Sequence, residues 1–208
     1  MNSRLLNIAT IILITIFAST MSGCKDSKKK DYYNPKVEEL DETPDSAMFV
    51  RLNRISNDTI FVTAKGQTKE EKFGIAEAQM NGQIKGTLDV GDEYSIFPNR
   101  KQKNITIAIN VSELKGRWFY DMTKHRGFEF GPYGALSAIN NQLLSYREWK
   151  LLNGKLYIYF IEIQQVNDDR HEYFVEEAEI LHLDDDNLQL LFRNETLTCH
   201  RQREVIKF

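Results

Sequence analysis

From residue 47 onward, apolar and polar residues alternate in short runs that are separated by turn-forming residues. Alternation with a period of two is typical of β-strands, because successive side chains of a strand point to opposite faces of the sheet. In the run Ile105–Val111 the isoleucines fall on one face, which predicts a half-buried strand. The Asn81-Gly82 pair predicts a tight hairpin turn. The strands predicted for the first half are Met48–Arg51, Thr59–Thr63, Phe73–Met80, Gln83–Leu88, Glu93–Phe97 and Ile105–Val111.

The second half of the chain divides into eight further runs of the same kind, each ended by turn residues such as Asn153-Gly154. Eight antiparallel strands are about the number at which an up-and-down barrel can just enclose one small ligand. The pattern predicts an all-β chain with a small OB-like barrel over residues 47–112 and an eight-stranded barrel over residues 113–208. The strands predicted for the second barrel are Arg117–Met122, Gly127–Phe130, Leu136–Ile139, Leu144–Leu151, Lys155–Ile163, Glu172–His182, Asn187–Arg193 and Glu195–Arg201.

The run Lys155–Ile163 is unusual because it is apolar on both faces. One face of such a strand lines the barrel interior, and the other must also avoid water. Tyr157, Tyr159 and Ile161 share one face, and Leu156, Ile158 and Phe160 share the other. We expect one of these sets to lie in the core and the other to pack against the N-terminal barrel or a partner. An exposed aromatic platform for a ligand is the alternative.

The first 24 residues carry a different pattern, in which one basic residue, Arg4, precedes the apolar run Leu5–Met21 and the sequence Met21-Ser22-Gly23-Cys24. The run is shorter than the roughly 20 apolar residues that span a bilayer. It resembles the signal of a bacterial lipoprotein, in which small residues precede the cysteine that receives the lipid. The resemblance implies a signal peptide over residues 1–23, a diacylglycerol and an acyl chain such as palmitate on Cys24, and a tether over residues 24–46.

This resemblance implies a protein of the bacterial cell envelope that is anchored to a membrane through its N-terminal lipid. The outer membrane is the predicted location, and both its periplasmic and its surface face stay open. Asp45-Ser46-Ala47 and Asp58-Thr59-Ile60 resemble the short acceptor sites for O-linked glycans on exported Bacteroidetes proteins. Ser46 and Thr59 are therefore candidate O-glycosylation sites, and Ser46 is the better one because it borders the tether.

Gly116-Arg117-Trp118 resembles the G-x-W motif that opens the first barrel strand of lipocalins. Gly127–Gly134 and a basic residue near the C-terminus follow in an order that resembles short lipocalin-like domains of Bacteroidetes envelope lipoproteins. The resemblance implies that an arginine of the last strand packs over Trp118; Arg201 is the best match, and Arg203 is the second. A small barrel combined with a lipocalin-like barrel behind a lipid anchor is also similar to NlpE-type envelope-stress lipoproteins, whose cysteine motif this chain lacks.

Aromatic side chains of the second barrel could line a ligand pocket, and the same side chains also suit an ordinary packed core. The predicted function is non-enzymatic binding of a small apolar ligand or an envelope component. The alternative is a structural or stress-signalling module that docks another envelope protein, and it takes precedence if the barrel is filled by its own aromatic residues. The candidate pocket residues are Phe128, Phe130, Tyr146, Trp149 and Phe174.

Composition and spacing exclude several other kinds of site. Without residues 1–23 the chain has 26 Lys and Arg, since Arg4 is lost from the total of 27, against 30 Asp and Glu, so it lacks the basic field of nucleic-acid-binding proteins. Lipid takes Cys24, which leaves Cys199 without a disulfide partner in the same chain. The four histidines lack metal-binding spacing, and no catalytic motif occurs in the sequence. We therefore predict no metal, no cofactor and no catalytic residue.

Overall fold

A computed structural model describes residues 46–141, 144–162 and 173–201 of the chain. The predicted signal peptide, Cys24 and nearly all of the tether lie outside the described residues. Two sheets account for most of what is described, a six-stranded one and an eight-stranded one, so the chain is all-β as its alternating pattern predicts. None of the described helices is long and apolar enough to span a membrane.

Five strands of the first sheet close into a small OB-like barrel. Its elements are β1 (Met48–Ser56), β2 (Thr59–Ala64), β3 (Glu70–Gly74), α1 (Ala76–Met80), β4 (Ile84–Lys85), β5 (Glu93–Asn99) and β6 (Asn104–Asn110). The strands follow the order β3-β2-β1-β5-β6, and a parallel pairing of β3 with β6 closes the ring, while β4 lies along β6. Apolar side chains from all five barrel strands form one core.

Two of the strands predicted for this half are wrong. Phe73–Met80 is not one strand, because β3 ends at Gly74 and the following residues form helix α1. Alanine, glutamate, glutamine and methionine favour a helix, and one turn is too short for its period to show in the sequence. Gln83–Leu88 contracts to the two residues of β4, since the Gly86 N–H donates to the Leu183 carbonyl of the second barrel at 3.1 Å.

Strand β6 lies between the two barrel cores, so both of its faces are buried over its last three residues, Ala108 to Asn110. Ala108 belongs to the first core, whereas Ile109 packs in the core of the second barrel. The predicted half-buried strand is therefore wrong, because Ala108 and Asn110, on its supposedly polar face, are both 0 % exposed. Asn110 Oδ1 accepts a hydrogen bond from the Glu113 N–H at 2.9 Å and caps the short helix α2 (Val111–Leu114) that leads into the second sheet.

The second sheet forms a nearly closed barrel of eight antiparallel strands. They are β7 (Gly116–Asp121), β8 (Arg126–Phe130), β9 (Leu136–Ile139), β10 (Leu144–Leu152), β11 (Lys155–Glu162), β12 (Tyr173–Leu183), β13 (Asn187–Phe192) and β14 (Glu195–Arg201). Their order is β10-β11-β12-β13-β14-β7-β8-β9, and a backbone bridge between Ala135 and Glu148 connects the two ends. All eight predicted strands agree with these bounds to within one residue.

Strand β11 buries both of its faces, as its sequence predicts. Leu156, Ile158 and Phe160 pack in the core of the second barrel. On the opposite face Tyr157 and Tyr159 are buried in a separate cluster around Val175 of β12. The outer face of this strand therefore forms an aromatic surface of its own.

The two barrels contact each other at two places. On one side the Lys85 ammonium donates to the Leu181 carbonyl at 3.1 Å, next to the hydrogen bond between Gly86 and Leu183. On the other side the β10–β11 turn packs on Ile107 of the first barrel through Gly154. Asn153 of the same turn accepts a hydrogen bond from the Ser46 N–H at 3.2 Å. These contacts hold both barrels in one fixed arrangement.

Candidate functional site

The start of the second barrel is held by Trp118 and Arg201, the pair that the lipocalin resemblance implies. Trp118 is 0 % exposed, and its Nε1–H donates to the Leu114 carbonyl at 2.8 Å. The Arg201 guanidinium lies 4.3 Å from the centre of the Trp118 ring. It also donates to the Lys115 carbonyl at 3.0 Å and to the Glu113 carbonyl. Cation–π contact and charge-assisted hydrogen bonds thus tie the last strand to α2.

Gly116 completes this arrangement because a side chain has no room there. Its φ is +122°, and a Cβ atom would lie 2.8 Å from Arg201 Nη1. Glycine satisfies both the backbone conformation and the close approach of the guanidinium. The motif residues Gly116, Trp118 and Arg201 therefore stabilise the fold.

The predicted pocket residues come together inside the second barrel, where they pack against one another. The ring centres of Phe128 and Phe130 lie 5.2 Å apart, and those of Phe130 and Trp149 lie 5.6 Å apart. Phe174 stacks on Phe160 at 5.6 Å. These are the distances of aromatic pairs in a packed core. Within the described residues, this part of the barrel is filled by its own side chains.

Two ionisable groups of this core are held in their neutral forms. Burial raises the pKa of the Tyr146 hydroxyl to about 12, and it raises the pKa of the Cys199 thiol to about 12 as well. Tyr146 also packs edge-on against Phe128 at 6.3 Å. A thiol with so high a pKa is a poor nucleophile at neutral pH. Cys199 is therefore a core residue, with a side chain that is fully buried.

A cleft of about 550 Å³ is lined by residues of both barrels. This volume lies in the range of roughly 300–1,000 Å³ that is common for small-molecule sites. Of the five predicted pocket residues, Trp149 borders this cleft as well as the core. The first barrel contributes Phe49, Lys65 and Glu93, and the region of α2 contributes Val111 and Lys115. The β8–β9 turn contributes Pro132, Tyr133 and Gly134. Strands β10 and β11 contribute the remaining residues, which are Glu148, Trp149, Lys150, Leu151, Leu152, Tyr157 and Tyr159.

Aromatic rings and charged groups alternate around this cleft. Tyr157 and Tyr159 are buried, and the Lys150 ammonium lies 4.9 Å from the centre of the Tyr159 ring. The Lys115 ammonium binds the Glu93 carboxylate at 2.8 Å. This ion pair is the main reason why the pKa of Glu93 lies below its ordinary value. The cleft thus combines an aromatic lining with charges that are partly compensated.

Tyr133 stands at the rim of the cleft on a tight turn. Its side chain is 98 % exposed, and its φ of +57° lies in the left-handed region that large side chains rarely adopt. The turn is nevertheless well fixed, because the Gly131 N–H donates to the Ala135 carbonyl at 2.7 Å and Trp149 Nε1–H donates to the Gly131 carbonyl at 3.2 Å. A rigid turn therefore presents an aromatic ring to solvent.

A second, polar recess of about 440 Å³ lies where α2 meets both barrels. Its central group is the Glu113 side chain, which is 7 % exposed and accepts a hydrogen bond from the Thr87 N–H at 2.8 Å. Burial is the main reason why the pKa of Glu113 is raised, and the nearby Asp185 carboxylate acts in the same direction. The hydrogen bond between Glu113 and Thr87 thus connects α2 to the first barrel through a carboxylate that has little contact with water.

The sequence predicts two candidate O-glycosylation sites and no metal site. Within the described ranges, no group of three or more His, Cys, Asp or Glu side chains is arranged to hold a metal ion. His182 Nε2 lies 2.8 Å from Asp184 Oδ2, at hydrogen-bonding distance. Of the candidate O-glycosylation sites, Ser46 is exposed, whereas Thr59 is half-buried within β2. Ser46 therefore stays the more accessible candidate.

Sequence reasoning missed Phe49, Lys65 and Tyr133 as site residues. Tyr133 does carry a signal, because a large aromatic residue is unusual between Pro132 and Gly134 in a tight turn. Phe49 and Lys65 carry none, since they reach the cleft through the packing of one barrel on the other. The face of β11 that carries the tyrosines was singled out, and the structure shows that it borders the cleft.

Comparisons with known proteins concern the second barrel. A family model described as lipocalin-like matches residues 110–203. The chain is also similar to a lipocalin-like protein of known structure from Bacteroides thetaiotaomicron, at 22% identity over 42% of this chain and 95% of that chain, with a TM-score of 0.37. No curated protein matches the chain. Because residues 110–203 include α2 and all eight strands of the second sheet, the second barrel is a lipocalin-like domain.

Proposed function

We propose that this chain is a lipid-anchored protein of the bacterial cell envelope, which binds a small, largely apolar ligand and catalyses no reaction. The lipocalin-like match supports binding of a small hydrophobic molecule. The lipoprotein-like sequence before Cys24 supports the anchor, and the outer membrane is the proposed location. Because the described aromatic residues fill the interior of the second barrel, a ligand site inside that barrel fails, and docking of another envelope protein is the alternative function if the cleft binds no ligand. The ligand site that we propose is therefore the cleft between the two barrels, outside the barrel interior.

One contrast carries this choice of site. The described aromatic residues of the barrel interior contact one another, whereas two of the rings that line the cleft, Phe49 and Tyr133, are exposed. Phe49 is 40 % exposed and Tyr133 is 98 % exposed, so a ligand that covers them removes apolar surface from water. Such burial contributes about 25 cal/mol for each Å² of apolar surface, and each ring contact adds about 0.5–1.5 kcal/mol.

The cleft is formed before a ligand arrives. Its two walls are joined by the packing of Gly154 on Ile107 and by the hydrogen bond from Ser46 to Asn153. A site that needs no rearrangement loses little conformational entropy on binding. The proposed site thus offers a concave, largely apolar surface between two packed barrels, as small-molecule sites commonly do.

A fluorescence titration with phenylnaphthylamine, a neutral aromatic probe, tests this proposal. Leu152 lines the cleft, so Leu152→Trp should fill part of it and weaken probe binding at least about tenfold, which corresponds to about 1.4 kcal/mol. Leu191→Trp is the matched control, because Leu191 lies on β13, is 36% exposed and does not line the cleft. We expect the control to bind the probe as the unchanged chain does.

Two results would overturn the proposal. Equal affinity of Leu152→Trp and the unchanged chain would place the probe elsewhere. The absence of any probe binding would instead favour the alternative function, docking of another envelope protein.

A further inference from the structure

The charges around the cleft are not balanced. Among the described residues, three lysines line it, Lys65, Lys115 and Lys150, against two carboxylates, Glu93 and Glu148. Attraction between such groups is weak in water but grows several-fold where a ligand excludes solvent. An anionic group on a bound ligand would therefore be stabilised here, and a cationic group would not.

The excess of positive charge is concentrated beside Glu93. Its carboxylate binds Lys115 at 2.8 Å, and both Lys65 and Arg51 also lower its pKa through their charges. One carboxylate thus faces three cations. The wall that the first barrel contributes to the cleft is therefore locally basic.

Lys65 is the best placed of these cations to meet a ligand. It lines the cleft and also an adjoining groove of about 230 Å³, and Phe49 and Glu93 border both spaces. Its N–H donates to the Phe49 carbonyl at 2.8 Å, which fixes the lysine backbone next to that ring. The side chain is exposed, so the ammonium can reach an anion over the cleft with its apolar neighbour in place.

Tyr133 offers the complementary contact from the second barrel's side of the cleft. A left-handed conformation of a large residue costs about 1–3 kcal/mol and persists only when its surroundings enforce it. Here the hydrogen bonds of Gly131 and Ala135 enforce it, and the result is an almost fully exposed ring. The loss of such a ring changes apolar contact with a ligand but not the charge of the cleft.

We propose that the ligand of this cleft is a small molecule with an apolar body and an anionic group, which the Lys65 ammonium binds while the Tyr133 ring covers the apolar body. This inference rests on the proposed function, because it assumes that the cleft binds a ligand. It goes further because it states the charge of that ligand and names Lys65 as the residue that binds the charged group.

A pair of probes with the same aromatic skeleton tests the preference for an anionic ligand separately from ligand binding itself. Phenylnaphthylamine is neutral, and anilinonaphthalene sulfonate adds one anionic group to the same rings. At low ionic strength, where charges are weakly screened, we expect the unchanged chain to bind the sulfonate at least about fivefold more tightly. Lys65→Gln should abolish that preference, so that the variant binds the two probes with equal affinity.

The matched control is Lys124→Gln, because Lys124 is exposed on the β7–β8 turn and does not line the cleft. It should retain the preference for the sulfonate. Tyr133→Asn keeps a residue that tolerates the left-handed conformation, and it should weaken both probes equally. Leu152→Trp should weaken both probes too, which confirms that the sulfonate occupies the cleft.

The outcomes distinguish this inference from the proposed function. Equal or tighter binding of the neutral probe would overturn the inference and leave the proposed function standing. A preference for the sulfonate that survives Lys65→Gln, or a loss of it in Lys124→Gln, would overturn the role of Lys65. Failure of both probes to bind would overturn the inference and the proposed function together.

Discussion

Trp118 and Arg201 show how few residues determine the start of the second barrel. The tryptophan is fully buried, the guanidinium covers its ring, and the absence of a side chain at Gly116 leaves room for both. The resemblance to lipocalins implied this pair, whereas alternation alone marks Trp118 merely as one more apolar position. At the scale of residues, a motif thus carries information that the hydrophobic pattern lacks.

Gly116→Ala should destabilise the fold by about 1–3 kcal/mol, because alanine is strained at a positive φ and its Cβ would displace Arg201. Gly91→Ala is the control, since Gly91 has a φ of +101° and the nearest side-chain atom to a Cβ there is 3.8 Å away. Urea denaturation measures both. An equal loss of stability in the two variants would mean that contact with Arg201 contributes nothing.

Cys199 should react very slowly with a thiol reagent in the folded protein. Burial raises its pKa to about 12 from an ordinary value of 9.0, so at neutral pH its thiolate fraction is roughly a thousandfold lower than in the unfolded chain. The measurement uses a Cys24→Ser variant, in which Cys199 is the remaining thiol, with and without denaturant. Rapid labelling of the folded protein would contradict the buried position of this side chain.

At the scale of elements, the strands of the second barrel were predictable, whereas three segments of the first barrel, at α1, β4 and β6, were not. Each strand of the second barrel is long enough for its alternation to show, and turn residues such as Asn153-Gly154 end it. Helix α1 escaped prediction because its five residues follow directly on β3. Strand β6 was misjudged since its second face is covered by a barrel that comes later in the chain.

The β10–β11 turn packs on the first barrel, and Gly154→Ala tests how much this contact contributes to stability and to the shape of the cleft. A Cβ atom there would lie 2.8 Å from Ile107 Cδ1, so the variant should lose about 1–3 kcal/mol of stability and bind phenylnaphthylamine more weakly. Gly66→Ala separates the backbone strain from the contact, because Gly66 has the same φ of +79° and open space around it. If both variants bind the probe as tightly as the unchanged chain does, the turn has no role in shaping the cleft.

At the scale of the whole molecule, Glu113 makes the junction of the barrels sensitive to pH. Its carboxylate faces Asp89, Asp92, Asp185 and Arg201 around the polar recess. Burial raises its pKa above the ordinary 4.5, so the folded state holds the proton more tightly than the unfolded state does. The stability that this provides is complete below about pH 4.5 and is lost as the pH rises through the raised pKa.

Glu113→Gln removes this ionisation and should therefore become more stable relative to the unchanged chain as the pH rises from about 4 to about 7. Urea denaturation at both pH values measures the difference, and Glu195→Gln, an exposed position on β14, is the control. A difference that stays constant with pH would show that Glu113 titrates as it does in the unfolded chain.

Lipid attachment is tested at Cys24. The unchanged chain, produced in a bacterium fed labelled palmitate, should incorporate the label and sediment with membranes, whereas Cys24→Ala should do neither. Cys199→Ala is the control and should behave like the unchanged chain. Label in the Cys24→Ala variant would contradict the proposed anchor.

The cleft itself could not be predicted from the sequence, because its walls are far apart in the chain. Phe49 and Tyr133 line the same space, yet 84 positions separate their numbers, and their meeting depends on how the barrels dock. The sequence did predict that both faces of β11 avoid water. In the structure Tyr157 and Tyr159 pack with Val175 and Leu152 and border the cleft.

A crystal structure of the chain with phenylnaphthylamine bound is the most direct measurement. We expect the rings of the probe between the two barrels, in contact with Phe49, Tyr133 and the tyrosines of β11. A probe found inside the second barrel among Phe128, Phe130 and Phe160, with the cleft empty, would contradict the assignment of the cleft as the ligand site.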